Sequence, residues 1–186
     1  MSEPRVTLVG ESNPYGSDPH YALYPLPERA SGGRLCAVLG LTPRKYLRRF
    51  RRVNLLDGPR WSAPKARARA WAVASACPPG GALVLCGARV AAAFGHDFAR
   101  SLLQPKATLY VGEEERAVRS LVVPHPSGLS RLWCEAGMAE RVRAAIEALC
   151  AGPGESGPPS AVDADDDAEH DLIAALATAD ASSVRA

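Results

Sequence analysis

The chain has no apolar run approaching the roughly 18 residues that a membrane-crossing helix requires, so no membrane-spanning segment is expected. Its opening, MSEPRVTLVG, lacks the charged-then-apolar order of a secretory signal, and a cytoplasmic location is expected. Cysteine pairing is missing too. The five cysteines (Cys36, Cys77, Cys86, Cys134, Cys150) are scattered, odd in number and never form CxxC, which argues for buried thiols over disulfides or zinc. An iron–sulfur cluster needs four thiolates within reach, and the spacing supports none, so no metal and no cofactor is expected.

What is present begins with size and charge. The 186 residues hold enough chain for one domain with a core. The net charge of +2 hides an asymmetry: residues 161–186 carry seven acidic side chains (Asp163, Asp165, Asp166, Asp167, Glu169, Asp171, Asp180) against Arg185. That segment sums to −6 and leaves +8 on the rest. A basic body with an acidic tail points to a polyanionic partner that the tail screens or competes with. A composition rich in Arg and Ala accounts for the same excess equally well.

The pattern of residues predicts a strand over Arg5–Gly10, then an irregular loop over 11–30 broken by Pro14, Pro19, Pro25 and Pro27. Loops of that length are commonly functional. Helices are predicted at Ser31–Leu39 and Pro43–Phe50, a second strand at Arg52–Leu56, a helix at Lys65–Cys77 and a buried third strand at Ala82–Cys86. A helix follows at Ala88–Phe94. Thr108–Val111 and Val118–Val123 flank the polar GEEE turn and are either a pair or separate short strands. Glu135–Ala151 reads as the last long helix. The composition from Gly152 onward predicts a disordered acidic tail over 152–186, with a short helix allowed at Leu172–Ala177. Strands alternating with helices predict an α/β domain over 1–151, a three-layer sandwich with a central, mostly parallel four-stranded sheet. In such sheets ligands bind beyond the carboxyl ends of the strands.

Four features fall at those ends: Gly10-Glu11-Ser12-Asn13-Pro14-Tyr15-Gly16; Tyr24; Asn54, closing the second strand; and His125-Pro126-Ser127-Gly128-Leu129-Ser130-Arg131 after the last. Each has an ordinary explanation. Asn13-Pro14 forms turns, a strand Asn satisfies neighbouring backbone groups, and a lone histidine is more often structural than catalytic. The cluster Arg44, Lys45, Arg48, Arg49, Arg51 and Arg52 reads equally as a solvated helix face. Together, however, an amide, a histidine, a carboxylate and aromatic rings describe a pocket for a planar, hydrogen-bonding ring, with cations suited to phosphates.

These residues resemble the uracil-DNA glycosylase superfamily over about residues 5–150. The family's first motif varies among GQDPY, GMNPG and GEAPG; its last is typically HPSPLS, and here the last reads His125-Pro126-Ser127-Gly128-Leu129-Ser130. Asn54 is similar to the family's base-reading Asn, and Leu83–Gly87 to its buried third strand running into a Gly. GESNPYG has one residue more between Gly and Pro than the variants, so Asn13 and Glu11 each match a different one. Gly128 stands where the family has Pro, which loosens the loop that presses on DNA.

The resemblance implies a DNA glycosylase: a base flips out of DNA into the pocket and its N-glycosidic bond is hydrolysed. A monomer is expected. It implies that His125 stabilises charge on the leaving base and that Asn13 positions the water, with Glu11 or Asp18 supplying a carboxylate. Asn54 and Tyr24 would read and stack on the base, and Tyr15 would sit where a substituent on ring carbon 5 must pass. Ser127, Leu129, Ser130 and Arg131 would hold the duplex where the base left. Apart from the resemblance, the basic run predicts salt-sensitive phosphate contacts through Arg44, Lys45, Arg48, Arg49, Arg51 or Arg52. Uracil repair is the default; the long proline-rich loop also suits a larger modified base of viral DNA, an antiviral defence role. The rivals are a non-catalytic nucleic-acid binder and a hydrolase of free nucleotides.

Overall fold

The computed structural model describes residues 5–13, 18–110 and 116–151. The first strand, β1 (Val6–Ser12), is the pivot of a single sheet. It pairs in parallel on one side with β2 (Phe50–Leu56), Gly10 opposite Asn54, and on the other with β3 (Ala82–Cys86). Next to β3 lies β5 (Arg116–Val123), also parallel, and at the edge β4 (Lys106–Tyr110), antiparallel to β5. The order β2-β1-β3-β5-β4 makes five strands where four were expected, because the two segments flanking the GEEE turn pair as a hairpin and add an antiparallel edge.

Alternate residues along the strands feed two apolar clusters. Val6, Leu8, Val84, Leu121 and Val123 pack with residues of α1 (Ser31–Val38), α2 (Pro43–Arg49) and α6 (Met138–Ala151). Val9, Leu83, Leu85 and Val122 pack with α3 (Ala63–Ser75) and α4 (Ala88–Ala93). The spacing of Ala66, Ala70 and Ala74 gives α3 a face of small side chains, all buried, that lets it lie close on the sheet. In α6, Met138, Val142, Ile146 and Leu149 recur at helical spacing and are likewise buried.

Local chemistry sets several boundaries. Thr42 caps α2 by accepting from the Lys45 N–H at 3.3 Å, with Pro43 opening the helix. The last helix begins at Met138, not Glu135, because Arg131–Cys134 forms a short 3-10 turn first. The predicted loop after β1 carries one short 3-10 turn, Pro19–Tyr21, capped by Asp18. A further short helix, α5 (Phe98–Ser101), was not expected from the sequence. The tail predicted over 152–186 lies outside the described residues, as does Tyr15.

Candidate active site

The chain leaves β1 toward β2 on one side, then crosses to β3 on the other. The strand order therefore reverses between β1 and β3, and the crevice beyond their carboxyl ends is where α/β sheets hold ligands. Glu11, near the end of β1, meets Arg89 on α4 across that gap, carboxylate to guanidinium, at 3.4 Å.

His125 stands beside them. Its ring lies on the backbone of Gly87, where a Cβ would come within 2.9 Å of the His125 Cβ and 3.0 Å of its Cδ2. Gly87 also adopts φ +100°, a conformation that residues with side chains rarely adopt. The backbone N–H of Ser127 donates to His125 Nδ1 at 3.2 Å. An accepting Nδ1 leaves the proton of a neutral imidazole on Nε2, so the ring offers one N–H donor. Burial lowers the His125 pKa below its ordinary value, Glu11 opposes that shift, and Arg89 adds to it.

The loop carrying His125 is tied down. Trp133 donates its indole N–H to the His125 carbonyl at 2.7 Å, and Arg34 donates to the Ser127 carbonyl at 3.1 Å. Gly128, where the sequence suggested looseness, lies under Arg34: a Cβ there would be 3.3 Å from its Nη2. Ser130 donates its N–H to the Ser127 carbonyl at 3.3 Å, and Arg131 is exposed. At the tip, Leu129 is 92% exposed, an apolar side chain held in water beside the histidine.

On the β2 side, Asn54 reaches across to its partner residue: a Cβ on Gly10 would collide with Asn54 Oδ1 and stand 3.2 Å from Leu23 Cγ. Leu23 is fixed by the fully buried Tyr46, whose hydroxyl donates to the Leu23 carbonyl at 3.1 Å. Arg52, two residues before Asn54 on β2, donates to the carbonyls of His20 and Ala22 and lies 5.5 Å from the centroid of the Tyr24 ring. Tyr24 also packs against His20 at 5.0 Å, so its ring is one member of a cluster anchored to β2. Asn13 is 3% exposed, and its Nδ2 donates to the Asp18 carbonyl at 3.0 Å. Asn13, Asp18, Asn54 and Asp57 help line a cavity of about 40 Å³, room for a few waters and no more.

Strand ends thus bring Glu11, Asn13, Asn54 and His125 to one edge of the sheet. Arg48 and Arg49 are elsewhere. They close α2 immediately before β2 begins, at the end of the strands opposite the crevice, where Arg49 lies against Cys150 near the end of α6. Arg89 and Arg34 had escaped notice in the sequence, where each was one Arg among many. Among the described residues, no group of three or more His, Cys, Asp or Glu side chains converges as metal ligands do, and no helix is long and apolar enough to cross a membrane. No model of a known protein family matches the chain, and no curated protein matches it either.

Proposed function

We propose that the protein is a DNA glycosylase that hydrolyses the N-glycosidic bond of a flipped uracil or modified pyrimidine and leaves an abasic site. The observation that carries this reading is the imidazole of His125, seated on Gly87 with Nδ1 occupied by the Ser127 N–H and a carboxylate beside it at the crevice. On this reading the four parallel strands are the core of a three-layer sandwich and β4 is an added edge.

The chemistry follows from the donor set. As the bond from C1′ to the base breaks, the electron pair leaves with the base, and the His125 Nε2–H is a fixed donor for the charge that develops there. Water adds to the cation-like C1′ and loses a proton. Glu11 is the better acceptor for that proton, because a carboxylate is a base and an amide is not. Asn13 then has a positioning role, through the water-sized cavity that it lines with Asn54. Because that cavity is smaller than a pyrimidine, its lining at Asp18, Pro19 and Ala22 moves aside when the base enters. Asn54 reads the base edge, Leu129 enters the duplex in place of the flipped base, and Arg131 meets phosphate.

The non-catalytic reading is favoured by the same 40 Å³ cavity, too small for a base as it stands. A single-turnover assay on uracil-containing and modified duplexes, developed by alkaline cleavage, separates the two. The parent is expected to cleave, Glu11→Gln and His125→Ala to be slowed by about a hundredfold or more with DNA binding retained, and Asn54→Asp to change which base is accepted. A nearly normal Glu11→Gln beside a dead Asn13→Ala would return the water to Asn13. Equal cleavage by all variants and the parent refutes the reading.

A further inference from the structure

A second cavity, of about 650 Å³, opens at the end of β2. It is formed by the turn from Leu55 to Ser62 together with Lys65, and it adjoins the small cavity, since Leu56 and Asp57 line both. Its size falls in the range of sites that take small organic groups. The steps above make no use of it.

Three side chains give it chemical character. Trp61 is half-buried, packs against the core beneath α3, and has the Arg89 guanidinium 5.8 Å from its ring centroid. Arg60 and Lys65 are exposed, and neither makes an ion pair among the described residues. Against them stands one carboxylate, Asp57, so the lining has a surplus of positive charge. A simple anion has no use for an indole, and an apolar ligand leaves both cations unanswered. A nucleobase with its phosphate answers all three groups, by stacking and by charge.

We propose that this cavity is a subsite for one unpaired nucleotide of single-stranded DNA, the neighbour of the nucleotide whose base is removed. A base seated in a concavity has left its duplex stack, so the subsite favours single strands over paired ones. That the occupant is the neighbour rests on the glycosylase reading; that a nucleotide binds here does not.

The test is fluorescence anisotropy with labelled dT4, which contains no uracil, so that binding is read whether or not the protein cleaves. Trp61→Leu is expected to weaken dT4 binding by about 5- to 160-fold, the range for losing one base–aromatic stack. Trp71→Leu, a tryptophan 48% exposed on α3, is expected to leave it unchanged. Because Trp61 also packs against the core, Arg60→Gln/Lys65→Gln supplies a second measurement on exposed side chains. It should flatten the slope of log affinity against log salt by about 0.7 to 1.4. Unchanged affinity in the first variant with an unchanged slope in the second overturns the subsite. A blunt duplex that binds more tightly than dT4, and is weakened as much by Trp61→Leu, overturns its single-strand character. Binding of dT4 as expected, without cleavage of any uracil-containing or modified single strand or duplex, defeats the glycosylase reading alone.

Discussion

Replacing Gly87 by alanine asks whether the His125 ring rests on the backbone where β3 passes into α4. Two separate penalties are expected. Gly87 has φ +100° and ψ 165°, a region almost reserved for glycine, and holding alanine there costs about 1–3 kcal/mol. The new Cβ would also lie 2.9 Å from the His125 Cβ and 3.0 Å from Cδ2, and relieving such an overlap costs about another 1–3 kcal/mol. In a domain of this size each kcal/mol lowers the melting temperature by about 2–4 °C, so a fall of at least about 4 °C is expected in thermal unfolding. Gly58→Ala is the control, since a Cβ there meets nothing within 4 Å. The two penalties separate in a double-mutant cycle. In a His125→Gly background the overlap vanishes and the backbone strain stays, so Gly87→Ala should cost about 1–3 kcal/mol less than in the parent. Cleavage should fall by about a hundredfold, because a reacting group displaced by about an ångström loses that much. The same loss of stability with and without the His125 side chain would refute the placement of the ring.

Two further predictions concern charge. The pKa of His125 lies below 6.5, so the group binds its proton less readily when folded: its contribution to stability is present above pH 6.5 and lost as pH falls below that value. A proton on Nδ1 removes the lone pair that accepts from the Ser127 N–H and frees the ring from its seat, so cleavage should be level near neutrality and decline on the acid side. Arg89→Gln, by removing a cation, should move that decline to higher pH in single-turnover rates. Reversing Arg48 and Arg49 to Glu should leave the salt dependence of cleavage unchanged, whereas Arg131→Glu should flatten it; the reverse result would put DNA at the other end of the sheet.

Most of the parallel sheet was legible in the sequence, because short apolar runs announce buried strands. Gly and Asn did not mark their ends: β1 continues past Gly10 to Ser12 and β2 past Asn54 to Leu56. Those ends also gave the candidate site, since His125, Asn54, Asn13 and Glu11 need only sheet topology to converge. The hairpin of β4 with β5 was not decided, because strand pairing depends on what each edge meets in space and not on either segment alone. The basic cluster at residues 44–52 shows a related limit. Sequence records that Arg48 and Arg49 are cations, but only the direction of β2 tells which end of the sheet they occupy. The link from Trp61 through Arg89 to Glu11 joins three separate connections and has no local signature at all.

The cysteines have a practical consequence. Burial pushes the Cys86 thiol up to about 12 and raises those of Cys36 and Cys150, while Cys77 is also shut away from water. Alkylating reagents attack the thiolate and need access to it, so the folded protein presents Cys134 as its one exposed thiol. That residue closes the short turn directly after the Leu129 loop. A maleimide dye added to the unmodified protein would therefore settle within a few residues of the segment expected to meet DNA, and would report on its arrival without any engineered attachment point.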